Sequence, residues 1–191
     1  MLAVSLYGRL PYSQKACINV TMSAEVPWFL RRHFNEVEVC LASSKRGDPL
    51  LSEDNLKHLI VDLHSAWAAE DWTKCLRLAN ALTDSMPEIS VGWLYRSIAA
   101  REQGFPKKAI DLLLPIAHRF PDSWDIPFHI SCFYSVLKEF KKAEEWLEKA
   151  RDVNHEETMG NELCEPDLAG YWAWRRRMGL VHSYEFSPTD D

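Results

Sequence analysis

His129 and Cys132 stand three residues apart in FHISC, a spacing that puts an imidazole and a thiol on one face of a helix, where they could share a transition metal. A zinc ion asks for about four such ligands, and no third or fourth can be named from the chain. The pair is therefore expected to be structural, with no metal. The five cysteines, Cys17, Cys40, Cys75, Cys132 and Cys164, are scattered and contain no C-x-x-C pair. Neither a disulfide framework nor a zinc knuckle is supported, and a reducing, cytoplasmic compartment fits best. Carboxylates crowd AEEWLEKA, but lysines at helical spacing make this a solvated face rather than an acid and base pair. The run Arg175 to Arg177 suits a helix C-terminus complementing its own dipole, with an anionic partner as the alternative. There is no phosphate-cradling glycine loop, no H-E-x-x-H and no nucleophile elbow, so the expectation is a non-catalytic protein without a cofactor.

At 191 residues the chain has room for one domain with a real core or for a short helical array. Apolar residues make up 47% and charged residues 26%, and the net charge is −6. That balance argues against nucleic acid as a partner, because no basic stripe is available to displace counterions from phosphates. No run approaches the roughly 18 apolar residues of a membrane span, so no membrane role is expected. Residues 1–23 show no sustained period and read as a disordered leader, with Met22 as a candidate start. Residues 24–49 read as an N-terminal helix and a polar loop. Leu30, Phe34, Val37 and Leu41 share one helical face, although EVEVCLA also alternates as a strand would.

From residue 50 onward one distance recurs. Cys75, Ala109 and Ala143 are 34 residues apart, as are Pro87 and Pro121, Leu76 and Ile110, and Leu82 and Ile116. A period of this length is the signature of a repeated pair of helices. Helices are expected over Asp54 to Ala69 and Trp72 to Thr83, then over Trp93 to Gln103 and Pro106 to Arg119. A third pair begins at Trp124, with Pro127 in its opening turn, and its second helix covers Phe140 to Val153. The break at Gly104-Phe105-Pro106 is a hinge: the glycine ends one helix and the proline opens the next. Pro115 should kink or shorten its helix. A last helix, 166 to 178, has Pro166 in its first turn and Gly179 as its stop.

The residues Trp93, Gly104, Ala109 and Pro121, spaced W-x10-G-x4-A-x11-P, resemble the tetratricopeptide repeat. The departures are Glu70 and Lys138 at the hinge glycine, Cys75 at the alanine and His155 at the closing proline. The run ending CEPDLAGYW is similar to that of short soluble bacterial proteins of this family. The resemblance implies an all-α fold: a short right-handed solenoid of three hairpins, 56–89, 90–123 and 124–157, with a capping helix within 158–179 and a flexible tail over 180–191. It also implies peptide contacts on the inner face of the first helix of each hairpin. These fall at Lys57, Ile60, His64 and Trp67, at Val91, Leu94, Ile98 and Arg101, and at Asp125, Phe128, Cys132 and Ser135.

That face is mostly apolar and suits an amphipathic helix or an extended hydrophobic segment. The competing reading is that the N-terminal helix, 26–42, or the C-terminal helix already fills it as core. Trp72, Trp93, Trp124 and Trp146 are expected in packing, leaving Trp67, Trp172 and Trp174 as the tryptophans of functional interest. The favoured function is an adaptor or scaffold binding a protein or peptide. The alternative is a chaperone-like holder of hydrophobic secretion substrates, forming a homodimer through its N-terminal helix.

Overall fold

The computed structural model describes residues 53–180, and these form α-helices and two short 3-10 turns, with no strand among them. The leader, the expected N-terminal helix and loop, and the tail from 181 lie outside the described residues. The helices are α1 (Glu53–Ala68), α2 (Trp72–Ser85), α3 (Ser90–Glu102), α4 (Pro106–Leu113), α5 (Asp125–Val136), α6 (Phe140–Val153), α7 (His155–Glu162) and α8 (Ala169–Arg177). The 3-10 turns are Ala117–Arg119 and Pro166–Leu168. No described helix is long and apolar enough to cross a membrane.

Three hinges, 34 residues apart, share one backbone solution. Glu70, Gly104 and Lys138 have φ of 56°, 88° and 62°, the left-handed region. At each, the amide of the hinge residue donates to a carbonyl three back: Glu70 to Trp67, Gly104 to Arg101 and Lys138 to Ser135, all at 2.9 Å. The next amide donates five back, from Asp71 to Ala66, Phe105 to Ala100 and Glu139 to Tyr134, at 2.9 to 3.0 Å. This pair of bonds satisfies the last carbonyls of α1, α3 and α5. Only glycine takes the conformation without a Cβ penalty, so Glu70 and Lys138 each store about 1–2 kcal/mol that the flanking packing must hold.

Beyond each hinge a small residue, Cys75, Ala109 or Ala143, is fully buried where the second helix meets the first. Each of α1 to α5 packs on its successor, and α1 on α3 and α3 on α5 also touch. Gly92 permits the close approach of α3 to α2, since a Cβ there would lie 3.0 Å from Thr83 Cγ2. Two apolar clusters result. One joins Leu56, Ile60, Leu63, Leu82, Met86 and Tyr95, and the other joins Leu113, Ile126, Phe133 and Leu147 to Leu168, Tyr171 and Trp172. Half-buried Ile98 packs against both.

Most helix limits fall within three residues of those expected, and Phe140–Val153 matches at both ends. Two do not. Pro115 shortens its helix instead of kinking it: α4 stops at Leu113, and the chain continues through a turn into Ala117–Arg119. The ring at 115 cannot donate to Asp111, so the ladder ends there. The C-terminal region is also more divided than expected. Asn154 caps α7 by accepting from the Glu157 amide at 3.1 Å, and the segment from 166 opens as a 3-10 turn before α8 begins at Ala169.

Candidate functional site

The positions expected to touch a peptide lie on α1, α3 and α5, and most are buried. On α1, Ile60 is fully enclosed and Lys57 is half-buried. His64 and Trp67 are also buried, with His64 Nδ1 2.8 Å from the Tyr95 hydroxyl and the His64 and Trp67 rings 5.0 Å apart. On α3, Val91 and Leu94 are buried, whereas Ile98 and Arg101 keep partial exposure. On α5, Phe128, Cys132 and Ser135 are buried and Asp125 is half-buried. The fold thus gathers Leu94, Phe128 and Cys132 into one cluster and Ile60 and Trp67 into the other.

What lies on the α3 and α5 part of this face is the chain's own C-terminal segment. The 3-10 turn Pro166–Leu168 packs on α5, and α8 packs on α5 and α6. Leu168 and Tyr171 are fully buried and Trp172 nearly so. Three arginine–carboxylate pairs fasten the segment to the preceding helices. Arg101 donates through Nη2 to Asp167 Oδ1. Arg151 holds the buried Glu162 with two bonds, 2.9 and 2.8 Å, and Arg175 reaches Glu144 at 2.7 Å. Glu162 also anchors Trp172, whose indole N–H donates to its backbone carbonyl at 3.0 Å. Forked arginine pairs of this kind fix geometry as well as adding energy. Arg101 Nε on α3 and Ser135 Oγ on α5 are buried without a hydrogen-bond partner.

His129 and Cys132 sit among packed side chains of α5. Burial pushes the Cys132 thiol well up, with the charge of Glu165 adding to it, and burial pulls His129 down to about 4 against the opposing pull of Asp125. His129 instead stacks on Phe133, with ring centroids 6.0 Å apart. Among the described residues no three of His, Cys, Asp and Glu are grouped as a metal site. Arg175 spends its charge on Glu144, the Tyr171 hydroxyl and the Leu180 carbonyl, while Arg177 is exposed at the helix end.

Trp93 and Trp124 take part in packing, Trp93 donating to the Pro87 carbonyl at 2.9 Å and Trp124 meeting Phe128 edge to face. Trp174 stacks on Phe140 at 5.8 Å, and Trp67 and Trp172 are core residues. Glu162, Asp167 and Arg151 were missed by sequence reasoning, since each acts through a partner on a different element. Phe105 was read only as part of a hinge. Yet it is 57% exposed, where Asp71 and Glu139 stand at the same place in the neighbouring units. No family model, curated protein or solved structure matches this chain.

Proposed function

We propose that the chain is a non-catalytic interaction module of tetratricopeptide type. It is a short right-handed α-solenoid of three hairpins that takes a peptide or helix of a partner protein along the inner face of α1, α3 and α5. The hinge geometry repeated at 70, 104 and 138 supports the repeat architecture. The observation that carries the binding function is that residues 165–172 of the chain lie on this face, with Asp167 on Arg101 and Leu168 in the apolar cluster of Phe128 and Cys132. A surface that seats one helical segment has the shape and chemistry to seat another. Lys57, Ile98, Arg101 and Asp125 are the expected contact residues that keep partial exposure.

The test is affinity capture from the native proteome with the full chain, comparing wild type with Ile98→Glu and Lys57→Glu. Both substitutions fall at half-buried positions. Partner recovery that drops for both variants while their melting curves stay intact supports the inner face. Unchanged recovery counts against it.

A further inference from the structure

The second hinge places an apolar ring where the other two place a carboxylate. Asp71 caps α2 by accepting from the Lys74 amide at 3.0 Å, whereas Glu139 makes no side-chain cap bond to α6 and pairs its carboxylate with Lys142 Nζ. At the same place in the second unit stands Phe105, which makes no side-chain cap bond to α4. An aromatic at an N-cap forgoes the bond that an aspartate would make and leaves apolar surface in water. Trp72 and Phe140, one residue further on in the first and third units, are half-buried against the two cores, whereas the second unit has Pro106 there. The aromatic has moved from a packed position to an exposed one. Departures from local rules that bring no gain in folding are expected where function selects the residue.

Phe105 and Pro106 line an open depression of about 530 Å³ together with Gly104 and with Leu137 at the end of α5. Lys107, Lys108 and Asp111 rim it, and Lys138 follows Leu137 in the chain. Lys107, Lys108 and Lys138 have no ion-pair partner among the described residues. The lining therefore sets two lysines against one carboxylate on a chain whose net charge is −6. A negatively charged ligand is repelled by the molecule at large and attracted here, so the lysines select where it lands.

We propose that this hinge depression docks an acidic segment of a partner protein, with an apolar side chain of that segment set against Phe105 and Leu137 and its carboxylates facing Lys107 and Lys108. The proposal rests on reading the chain as an interaction module, but the surface is separate from the inner helix face. The overall negative charge disfavours an anionic membrane or a nucleic acid, which present extended charge rather than a short acidic stretch around an apolar anchor.

The experiment selects peptides from a displayed random library on the full-length protein and measures the best binder as a synthetic peptide. The expected sequences carry two or more Asp or Glu around a Phe, Leu or Trp. Their affinity should fall at least tenfold in Phe105→Asp and in Lys107→Glu/Lys108→Glu, and should weaken with added salt. Phe105→Asp separates the two roles of the residue, because it restores the cap found at Asp71. It should raise the melting temperature by a few degrees while abolishing binding. Selected peptides without acidic excess would overturn the proposal, as would no selection above background or an affinity indifferent to these substitutions. A lower melting temperature in Phe105→Asp would also overturn it, since Phe105 would then serve the fold. Loss of binding in Ile98→Glu but not in Phe105→Asp would sink the hinge proposal and leave the inner-face reading standing. The reverse pattern supports the hinge site and leaves the inner-face reading to its own capture test.

Discussion

Truncating Leu168 to alanine tests the contact between the C-terminal segment and α5. The side chain is fully buried where the Pro166–Leu168 turn meets α5, in the cluster that contains Phe128 and Cys132. Three carbons are removed, worth about 2.4 kcal/mol at roughly 0.8 kcal/mol per buried methylene. The cavity left in a tightly packed site raises the loss to about 3–4 kcal/mol. Urea unfolding followed by tryptophan fluorescence reads this directly, with Met178→Ala, at a residue 61% exposed, as the control expected to stay within about 0.5 kcal/mol. Hydrogen exchange read by mass spectrometry locates the effect: amides of 166–177 should lose protection in Leu168→Ala before those of α1 and α2. A loss below about 1 kcal/mol, or wild-type exchange over 166–177 as fast as in an unfolded chain, would refute the view that this segment is bound to the helices beneath it.

The hinges make an independent prediction: Gly104→Ala destabilises by about 1–2 kcal/mol, whereas Lys138→Gly, at φ 62°, raises stability by up to about 1 kcal/mol, both measured by thermal melting. For His129, burial lowers the imidazole to about 4, so between there and the ordinary 6.5 the unfolded chain binds more protons than the folded one. Stability should accordingly fall as pH drops through that window, by at most about 1.4 kcal/mol per unit, and His129→Gln should flatten the slope. The thiols divide in the same way: Cys75 is raised to about 12 by burial and then by Asp71, Cys132 is buried, and Cys164 is exposed. Peptide mapping after brief treatment of the native protein with a thiol reagent at neutral pH should find Cys164 modified, with Cys75 and Cys132 modified only after unfolding.

The helical phase was readable because it repeats. Cys75, Ala109 and Ala143 identify the same packing place three times, and a 34-residue register locates the hinges at Glu70 and Lys138 although neither is a glycine. Less was readable where one element supplies what another lacks. HEETMGNE carries no apolar stripe, and α7 exists through the Asn154 cap and the grip of Arg151 on Glu162, of which only the cap has a local signature, Asn154 three residues before Glu157. Periodicity placed Leu94, Phe128 and Cys132 on a common side, but it cannot state what lies against them. On the α3 and α5 part of that side the neighbour is the chain's own 166–168 turn, with Asp167 reaching Arg101 across 66 positions of chain. The exposure of Phe105 has no local signature, because Gly104 and Pro106 account for the turn whatever residue stands between them.

That long reach from Asp167 to Arg101 also bears on how the molecule comes apart. Helices that touch only their neighbours tend to fray from an end, one pair at a time. Here the last segment is tied past α5 to α3, so loosening the C-terminus also withdraws support from the middle of the chain. Denaturation of the part from α3 to α8 should therefore proceed as one cooperative event rather than as a progressive peeling.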